Sequence, residues 1–374
     1  MTPVELSRTV LRAVRRAVDD GELSVAVPAR AVVERPRPGG CGDYATNVAL
    51  QLAGPAGRPP RAVAEAVRSA LVREPAVAEV TVTGPGFLNI TLDPAQGDPE
   101  ALRSAIVREI RARTAQSAQY GHVPLSRYGH GDVLAGEQLE LRVPRELRAE
   151  LVAETLSRIA ATQGATSTVT HSAPHNLRPV PAPTDIHTAL SPRAGTGAHS
   201  FRPASAPEFT RLPAAPLTDA IRWTLLHPAP HDHPRPLHEH LAPREANPLF
   251  RVQYAHAGTR ALTRNATALG FTSTPPDSAP DSSTSPPESH PLVEALAAHP
   301  QALASAARHR APDRLARHLL AVADALLAYR HTVLPLGDEK PSAAHRDRLA
   351  LAEAAGTVLA GGLSLLGISS PEHL

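Results

Sequence analysis

At 374 residues the chain is long enough for two or three compact domains, each with its own apolar core, so size alone calls for no metal or disulfide staple. Hydrophobic residues make up 42% and aromatic ones only 3%, with 39 prolines, a mixture that argues for Ala/Leu helices joined by Pro-rich connectors and against a large aromatic-rich β-sandwich. The net charge of +2 is too small to imply nucleic acid by itself, and Cys41, the lone cysteine, excludes an internal disulfide or a Cys-based zinc cluster and fits a reducing cytoplasm. Lys340 is the only lysine, so nearly all positive charge is carried by arginine, whose planar fork holds phosphate oxygens in pairs.

The first segment, from Thr2 to Asp20, places Leu6, Val10, Val14 and Val18 four apart with Arg12, Arg15 and Arg16 between them, the pattern of an amphipathic helix. It lacks the apolar core of a signal peptide, and no run in the chain approaches the roughly 18 apolar residues of a membrane span, so no membrane partner is expected. After a Gly/Pro-rich stretch, GDYATNVALQLA predicts a second helix starting near Asp43 as N-cap. A third helix follows Pro59 and Pro60 with Val63, Val67 and Leu71 on one face. Val80 and Val82, then Leu88, Ile90 and Leu92, alternate around a Gly-Pro-Gly turn as two strands. These make a small α+β unit over residues 1–95.

Residues Pro99 to Gln119 read as a helix, followed by the Gly-containing loop YGHVPLSRYGHG. EQLELRV, RELRAELVAETLSRIAATQG and ATSTVT then read as strand, helix and strand, one βαβ unit that ends the segment 96–172. Residues 173–216, rich in Pro, Ser, Ala and His, form a linker, and 217–374 is helical by pattern with a Pro/Ser insert at 272–291. Within it Leu315, Leu319, Val322, Leu326 and Tyr329 repeat at helical spacing, giving an all-α bundle. The histidines of HPAPHDHPRPLHEH (His227, His231, His233, His238, His240) are metal-ligand types, but prolines keep the run irregular and no carboxylate set is fixed around them. No metal and no cofactor is therefore expected. No Gly-x-Ser-x-Gly elbow is present for serine catalysis.

Four separated segments carry a resemblance. GDYATNVALQLA is similar to the GDYATNVAM-type motif of the N-terminal additional domain of arginyl-tRNA synthetases, and TGPGFLNITL to the AGPGFINF-type strand that closes that domain. NPLFRVQYAHAGTRAL resembles the NPVYYVQYAHARI-type helix opening the family's DALR anticodon-binding bundle, and RLALAEAAGTVLAGGLSLLGISSPEHL its closing helix and LLGVSAPERM-type ending. TDAIRW resembles the family's DALR-type segment itself. The resemblance implies an α+β N-terminal domain, a truncated Rossmann-like α/β remnant and an all-α DALR bundle.

The departures bear on activity. Class I synthetases use a HIGH-type sequence at the start of a helix and a KMSKS-type loop to stabilise charge on ATP. Here ELRV runs directly into PRELRAEL where the family would carry an NPTGPLHVGHLR-type stretch, no His-x-Gly-His occurs, and the sole lysine lies in the C-terminal part. Between Thr170 and Leu217 the chain is also too short for the remainder of a nucleotide-binding domain of ~150 residues. No catalytic residue is assigned.

By the resemblance, Phe87 and Asn89 stand where the family presents an aromatic and an amide to the tRNA elbow. Gln253 and Tyr254 belong to the motif helix near the anticodon loop, Tyr329 matches a second aromatic there, and Arg251 and Arg260 flank the motif where they would suit phosphates; packing in a helix interface for either tyrosine, and a solvated helix face for the arginines, are the structural alternatives. Leu374 ends a segment that shapes the anticodon pocket, with His373 and Leu374 replacing the usual arginine and methionine. The expectation is a cytoplasmic, non-catalytic protein that binds tRNA, arginine-accepting tRNA first. A scaffold that docks a partner protein and an arginine-tRNA ligase with residual activity are the alternatives.

Overall fold

The computed structural model describes residues 3–28, 30–34, 36, 41–93, 99–118, 126–171, 215–273 and 289–374. Nearly all of the predicted linker and of the Pro/Ser insert lies outside the described residues. The chain divides into two compact units, Met1–Ala105 and Ile106–Leu374. The divide falls inside a helix, α4 (Pro99–Ala118), beyond the boundary expected at residue 95.

The first unit runs α1 (Pro3–Asp19), β1 (Val33–Glu34), β2 (Tyr44–Thr46), α2 (Val48–Ala56), α3 (Pro60–Leu71), β3 (Val77–Thr83), β4 (Phe87–Leu92). Its sheet is antiparallel in the order β1-β2-β4-β3. Leu6, Val10 and Val14 on α1, Val63, Val67 and Leu71 on α3, and Leu88 and Ile90 on β4 are all fully buried in one core, as their spacing predicts. Arg12 and Arg16, on the outer side of α1, both reach Glu74 just past α3.

The helix predicted to start at Asp43 does not: Tyr44–Thr46 is a strand paired to β4, and α2 begins at Val48 after Asn47. The reason is local. The Asp43 N–H donates to Ile90 O at 2.9 Å and its carboxylate accepts from the Leu92 N–H at 2.9 Å, so the side chain clasps β4 instead of capping a helix. Gly42 precedes it at φ +81°, where a Cβ would meet Ile90 O at 3.0 Å, a backbone position suited to glycine alone.

The second unit holds the expected βαβ element: β5 (Gln138–Val143), α5 (Leu147–Ala161) and β6 (Thr166–His171), the strands pairing in parallel from Gln138↔Thr166 to Val143↔His171. Then come α6 (Ala215–Leu226), α7 (Leu237–Leu241), α8 (Pro248–Ala268), α9 (Ser289–Arg308), α10 (Pro312–Tyr329) and α11 (Ala343–Leu366). Leu315, Leu319, Val322 and Leu326 of α10 are buried, each contributing about 1.5–3 kcal/mol by leaving water. Gly362 of α11 lets the two helices touch, since a Cβ there would lie 2.3 Å from Leu319 Cδ2.

Contrary to the expectation from apolar runs, α11 is by length and composition apolar enough to cross a membrane. Two-thirds of that apolar window is buried inside the bundle, and Glu353 within it pairs with Arg111 at 3.2 Å and accepts from Thr263. It is the bundle's core helix.

The βαβ element is joined to the bundle by arginines. Arg148, in the first turn of α5 and 3% exposed, donates to the carbonyl oxygens of Leu225 (3.2 Å), Pro228 (3.3 Å), Ala229 (2.9 Å) and Asp232 (3.3 Å). Burial pulls its pKa down and Asp232 opposes that. Further along α5, Glu154 binds both Arg158 and Arg222, and Arg158 donates to Leu365 O at 2.8 Å. Removing the guanidinium in Arg148→Met strands several buried carbonyls, so the unfolding free energy is expected to drop by about 2 kcal/mol or more. A urea titration reads this, and a variant as stable as the parent would show that water serves those carbonyls instead.

Candidate nucleic-acid interface

Helix α8 carries Arg251, Gln253, Tyr254 and Arg260, half of the interface residues singled out by sequence, and its start is set by Asn247 and Pro248. The Asn247 side chain accepts from the Leu249 and Phe250 N–H groups at 3.0 and 3.3 Å, and its amide donates to His240 O and Ala242 O. Pro248 at the first helical position has no N–H to leave unpaired. This cap fixes the helix's phase. Leu249, Val252, Ala255 and His256 turn inward, while Tyr254 stays 37% exposed with Phe250 partly so.

Phe250 and Tyr254, one turn apart, stack with ring centres 5.5 Å apart and planes 14° from parallel. The guanidinium of Arg330 sits 5.0 Å over the Tyr254 ring. Arg251 points elsewhere and is held by Asp324 of α10 through two hydrogen bonds, one of 2.9 Å. Tyr329 does not join this surface. It is fully buried, its hydroxyl donating to Arg348 O at 3.4 Å, because the four-three spacing it shares with Leu315, Leu319, Val322 and Leu326 places it on the inward face of α10, against what the family resemblance implied. It is core, and the expectation of an RNA-facing ring at Tyr329 is corrected.

Gln253 and Arg260 have a different task from the one expected of free RNA contacts: they dock the segment 368–374 along α8. The Gln253 amide donates to Asp219 Oδ2 at 3.0 Å and Ser369 O at 3.1 Å. His256 Nδ1 bonds Pro371 O at 2.9 Å, Arg260 pairs with Glu372 at 2.7 Å, and Arg264 approaches His373 at 3.4 Å. Arg260 holds the exposed Glu372 carboxyl below its usual range. Asp219 of α6, 4% exposed, accepts from the Ser369 N–H at 3.0 Å and from its hydroxyl. Leu374, at the end of this segment, is 63% exposed. Asp219→Asn keeps the size but loses an acceptor, so it is expected to cost about 1–3 kcal/mol and to raise hydrogen exchange at Ser369 specifically. Unchanged exchange there would remove Asp219 from this role.

In the first unit, Phe87 opens β4 with 41% of its surface exposed. Asn89 is 7% exposed and turned inward. Its amide donates to Thr83 Oγ1 at 2.8 Å and to Cys41 Sγ at 3.4 Å. Phe87 is thus presented to solvent, whereas Asn89 is engaged by its own sheet.

The histidine-rich run is dispersed: His231 and His233 are exposed, while His227 stacks on Trp223 at 5.1 Å and His240 is buried. Among the described residues no group of three or more His, Cys, Asp or Glu side chains is placed to hold a metal ion. Burial lowers His227 to about 4, with His240, Arg317 and Arg235 adding repulsion. A second set lies between α9 and α10: His299 stacks on Tyr128 at 5.8 Å and meets His318 at 5.2 Å. Burial lowers His318 to about 4 and, with the Arg127 and Arg113 charges, His130 to about 4. These imidazoles are neutral when folded, so their contribution is whole above the unfolded value near 6.5 and is lost as pH falls towards about 4. Stability is expected to be level near pH 7–8 and to decline between about pH 6.5 and 4, less steeply in His318→Gln. Urea midpoints across that range test this, a level profile being the contrary result.

The geometry therefore offers an aromatic pair with exposed Tyr254 and a guanidinium above it on a helical bundle, and an α+β unit with an exposed strand aromatic. Comparison with known proteins gives these parts a family. Residues 5–92 match the arginyl tRNA synthetase N terminal domain, and 252–374 match the DALR anticodon binding domain. The chain thus combines two domain types of an aminoacyl-tRNA synthetase.

Among curated relatives, the arginine–tRNA ligase of Renibacterium salmoninarum is 27% identical over an alignment of 572 positions covering 100% of both chains. Since the present chain has 374 residues, much of that alignment faces gaps. The ligase of Frankia alni is 51% identical over 92 residues, 25% of this chain and 17% of that protein, and that of Micrococcus luteus 40% over 146 residues, 38% and 23%. These two local matches span under a quarter of each relative's length. Thermus thermophilus arginyl-tRNA synthetase superposes with a TM-score of 0.59 at 16% identity, covering 100% of both chains. The Plasmodium falciparum enzyme gives 0.57 at 9% identity, covering 100% of this chain and 99% of that one. The chain belongs to the arginyl-tRNA synthetase family.

Proposed function

We propose that this chain is a non-catalytic arginyl-tRNA synthetase-like protein that binds tRNA, arginine-accepting tRNA first, through its N-terminal α+β unit and its DALR bundle, in the cytoplasm. One observation carries the non-catalytic reading: the 374 residues contain no His-x-Gly-His and a single lysine, Lys340, just ahead of α11. Phosphoryl and adenylyl chemistry depends on such cations and imidazoles to offset charge developing on the triphosphate, and without them little rate remains. The matched anticodon-binding domain, the exposed Tyr254 stacked on Phe250 and the exposed Phe87 support RNA as the partner.

A second reading, a scaffold that docks a protein, is favoured by one feature. Arg251 and Arg260 are already paired with Asp324 and Glu372, which weakens the attraction of this face for phosphate. Salt separates the two readings. tRNA affinity is expected to fall steeply between about 50 and 200 mM salt, because each neutralised phosphate releases counterions. ATP–pyrophosphate exchange with arginine is expected to stay at background. Exchange above background would restore the ligase reading, and a partner protein held independently of salt with no tRNA bound would favour the scaffold.

A further inference from the structure

The two-stranded sheet β5-β6 ends in two unlike edges. At its start the Thr166 N–H donates to Glu137 O at 3.0 Å, and the register then continues without a shift to Val143↔His171. Backbone groups alternate in direction along a strand. Thr166, Thr168 and Thr170 therefore bond β5, while Ser167, Val169 and His171 turn their N–H and C=O groups away from it. Among the described residues no further strand pairs with those outward groups.

The β6 strand is exposed at every position except the half-buried Ser167, and Val169 keeps 43% of its surface in solvent. From Thr166 to Thr170 it has no charge, no proline and no bulge, the devices that ordinarily keep an edge strand from pairing. The β5 edge is guarded. By the same alternation Glu140 and Arg142 face their backbone outward there, and their exposed side chains form an ion pair at 2.9 Å.

We infer that the β6 edge pairs with the β6 edge of a second copy of this chain, antiparallel about a two-fold axis through Val169. In that register Val169 faces its twin, Ser167 faces the partner's His171, and each of these pairs exchanges both N–H···O bonds. Thr168 then lies opposite the partner's Thr170, a favourable cross-strand pair. The strand's own chemistry selects a copy as the occupant. Its one ionisable side chain, His171, sits 3.5 Å from Glu150 of α5 and meets a serine across the axis, so no like charges are opposed. Val169 shares a sheet face with its register partner Leu141, which is buried, and the twin Val169 would extend that apolar row over the exposed side chain. Such an interface is isologous and closed, leaving only the two charged β5 edges outermost. It requires no RNA, and so stands or falls separately from the reading above.

Sedimentation equilibrium of the full chain over a wide concentration range is expected to show a reversible monomer–dimer equilibrium. Val169→Pro removes an outward N–H without touching the bonds to β5, at a position where an edge strand accepts proline. One bond is lost from each copy, so the dimer is expected to dissociate about 5- to 150-fold more readily. Val169→Lys keeps the backbone but opposes two like charges, and is expected to weaken the dimer as well. Both variants are expected to retain the parent's circular dichroism.

A crosslink checks the register without relying on either variant. In a Cys41→Ser background, Val169→Cys is expected to form a disulfide between copies on mild oxidation, since Cα atoms of a hydrogen-bonded pair lie about 5.5 Å apart. Thr166→Cys is not, because antiparallel order carries residue 166 of the two copies to opposite ends. A parent that stays monomeric and a Val169→Cys chain that does not crosslink would overturn the inference, as would a dimer that both Val169 variants leave equally tight. Slow hydrogen exchange at the Val169 amide in a monomer would overturn it too, by showing that the edge is covered within one chain.

Discussion

The second unit depends on how a small parallel βαβ element is kept on a helical bundle, and the answer is a buried guanidinium. A two-stranded sheet has too little apolar area to stand alone. Leu141, Ala153 and Leu156 form only a minor cluster of their own. What fixes α5 is Arg148, inserted among four backbone carbonyls at the end of α6 and the turn beyond it. Leu225 O lies in the last turn of α6, at the negative end of its dipole, so there the cation and the helix end satisfy each other. On later turns of α5, Glu154 pairs with Arg222 of α6 and Arg158 donates to Leu365 O of α11. The remnant is therefore not a separate domain hanging between two others. It is held as a layer of the helical unit.

Much of this was legible in the sequence wherever one periodicity dominated. The apolar rows of α3 and α10 and most of that of α1 map onto buried faces, and of the alternating strand residues Val80, Leu88 and Ile90 are buried while Val82 and Leu92 are partly so. Failures occurred where a polar side chain had two possible partners. Asp43 reads equally as a helix cap and as a strand clasp, and only the neighbouring Ile90 and Leu92 backbone decides. Tyr329 shows a related limit. A helical row states that a residue is in phase with the core, but an aromatic in that row was also expected at an RNA surface, and burial settled it as core.

The candidate site was legible as a helix but not as a surface. NP before QYAHA marks where α8 starts, whereas the stacking of Phe250 on Tyr254 one turn later came only with the structure. Which cations remain available was not. Arg251 and Arg260 differ from Arg330 only through carboxylates supplied by α10 and by the closing segment, partners distant in sequence from each arginine. Asp219, which accepts from both Gln253 and Ser369, was equally hidden because its partners come from two other elements.

The start of α5 gives a physical reason to connect architecture with the non-catalytic reading. The first turn of a helix ordinarily offers unpaired N–H groups and a positive dipole end to an anion such as phosphate. In this chain that turn carries Glu146 and Glu150 together with Arg148, and the Arg148 side chain is already saturated by carbonyl oxygens. A triphosphate approaching there would meet two carboxylates and a row of carbonyls, and to recruit the arginine it would have to detach it from the contacts that hold the unit together. Binding at that turn and keeping the βαβ layer docked therefore compete for the same side chain, which supports a chain that has kept this helix for structure.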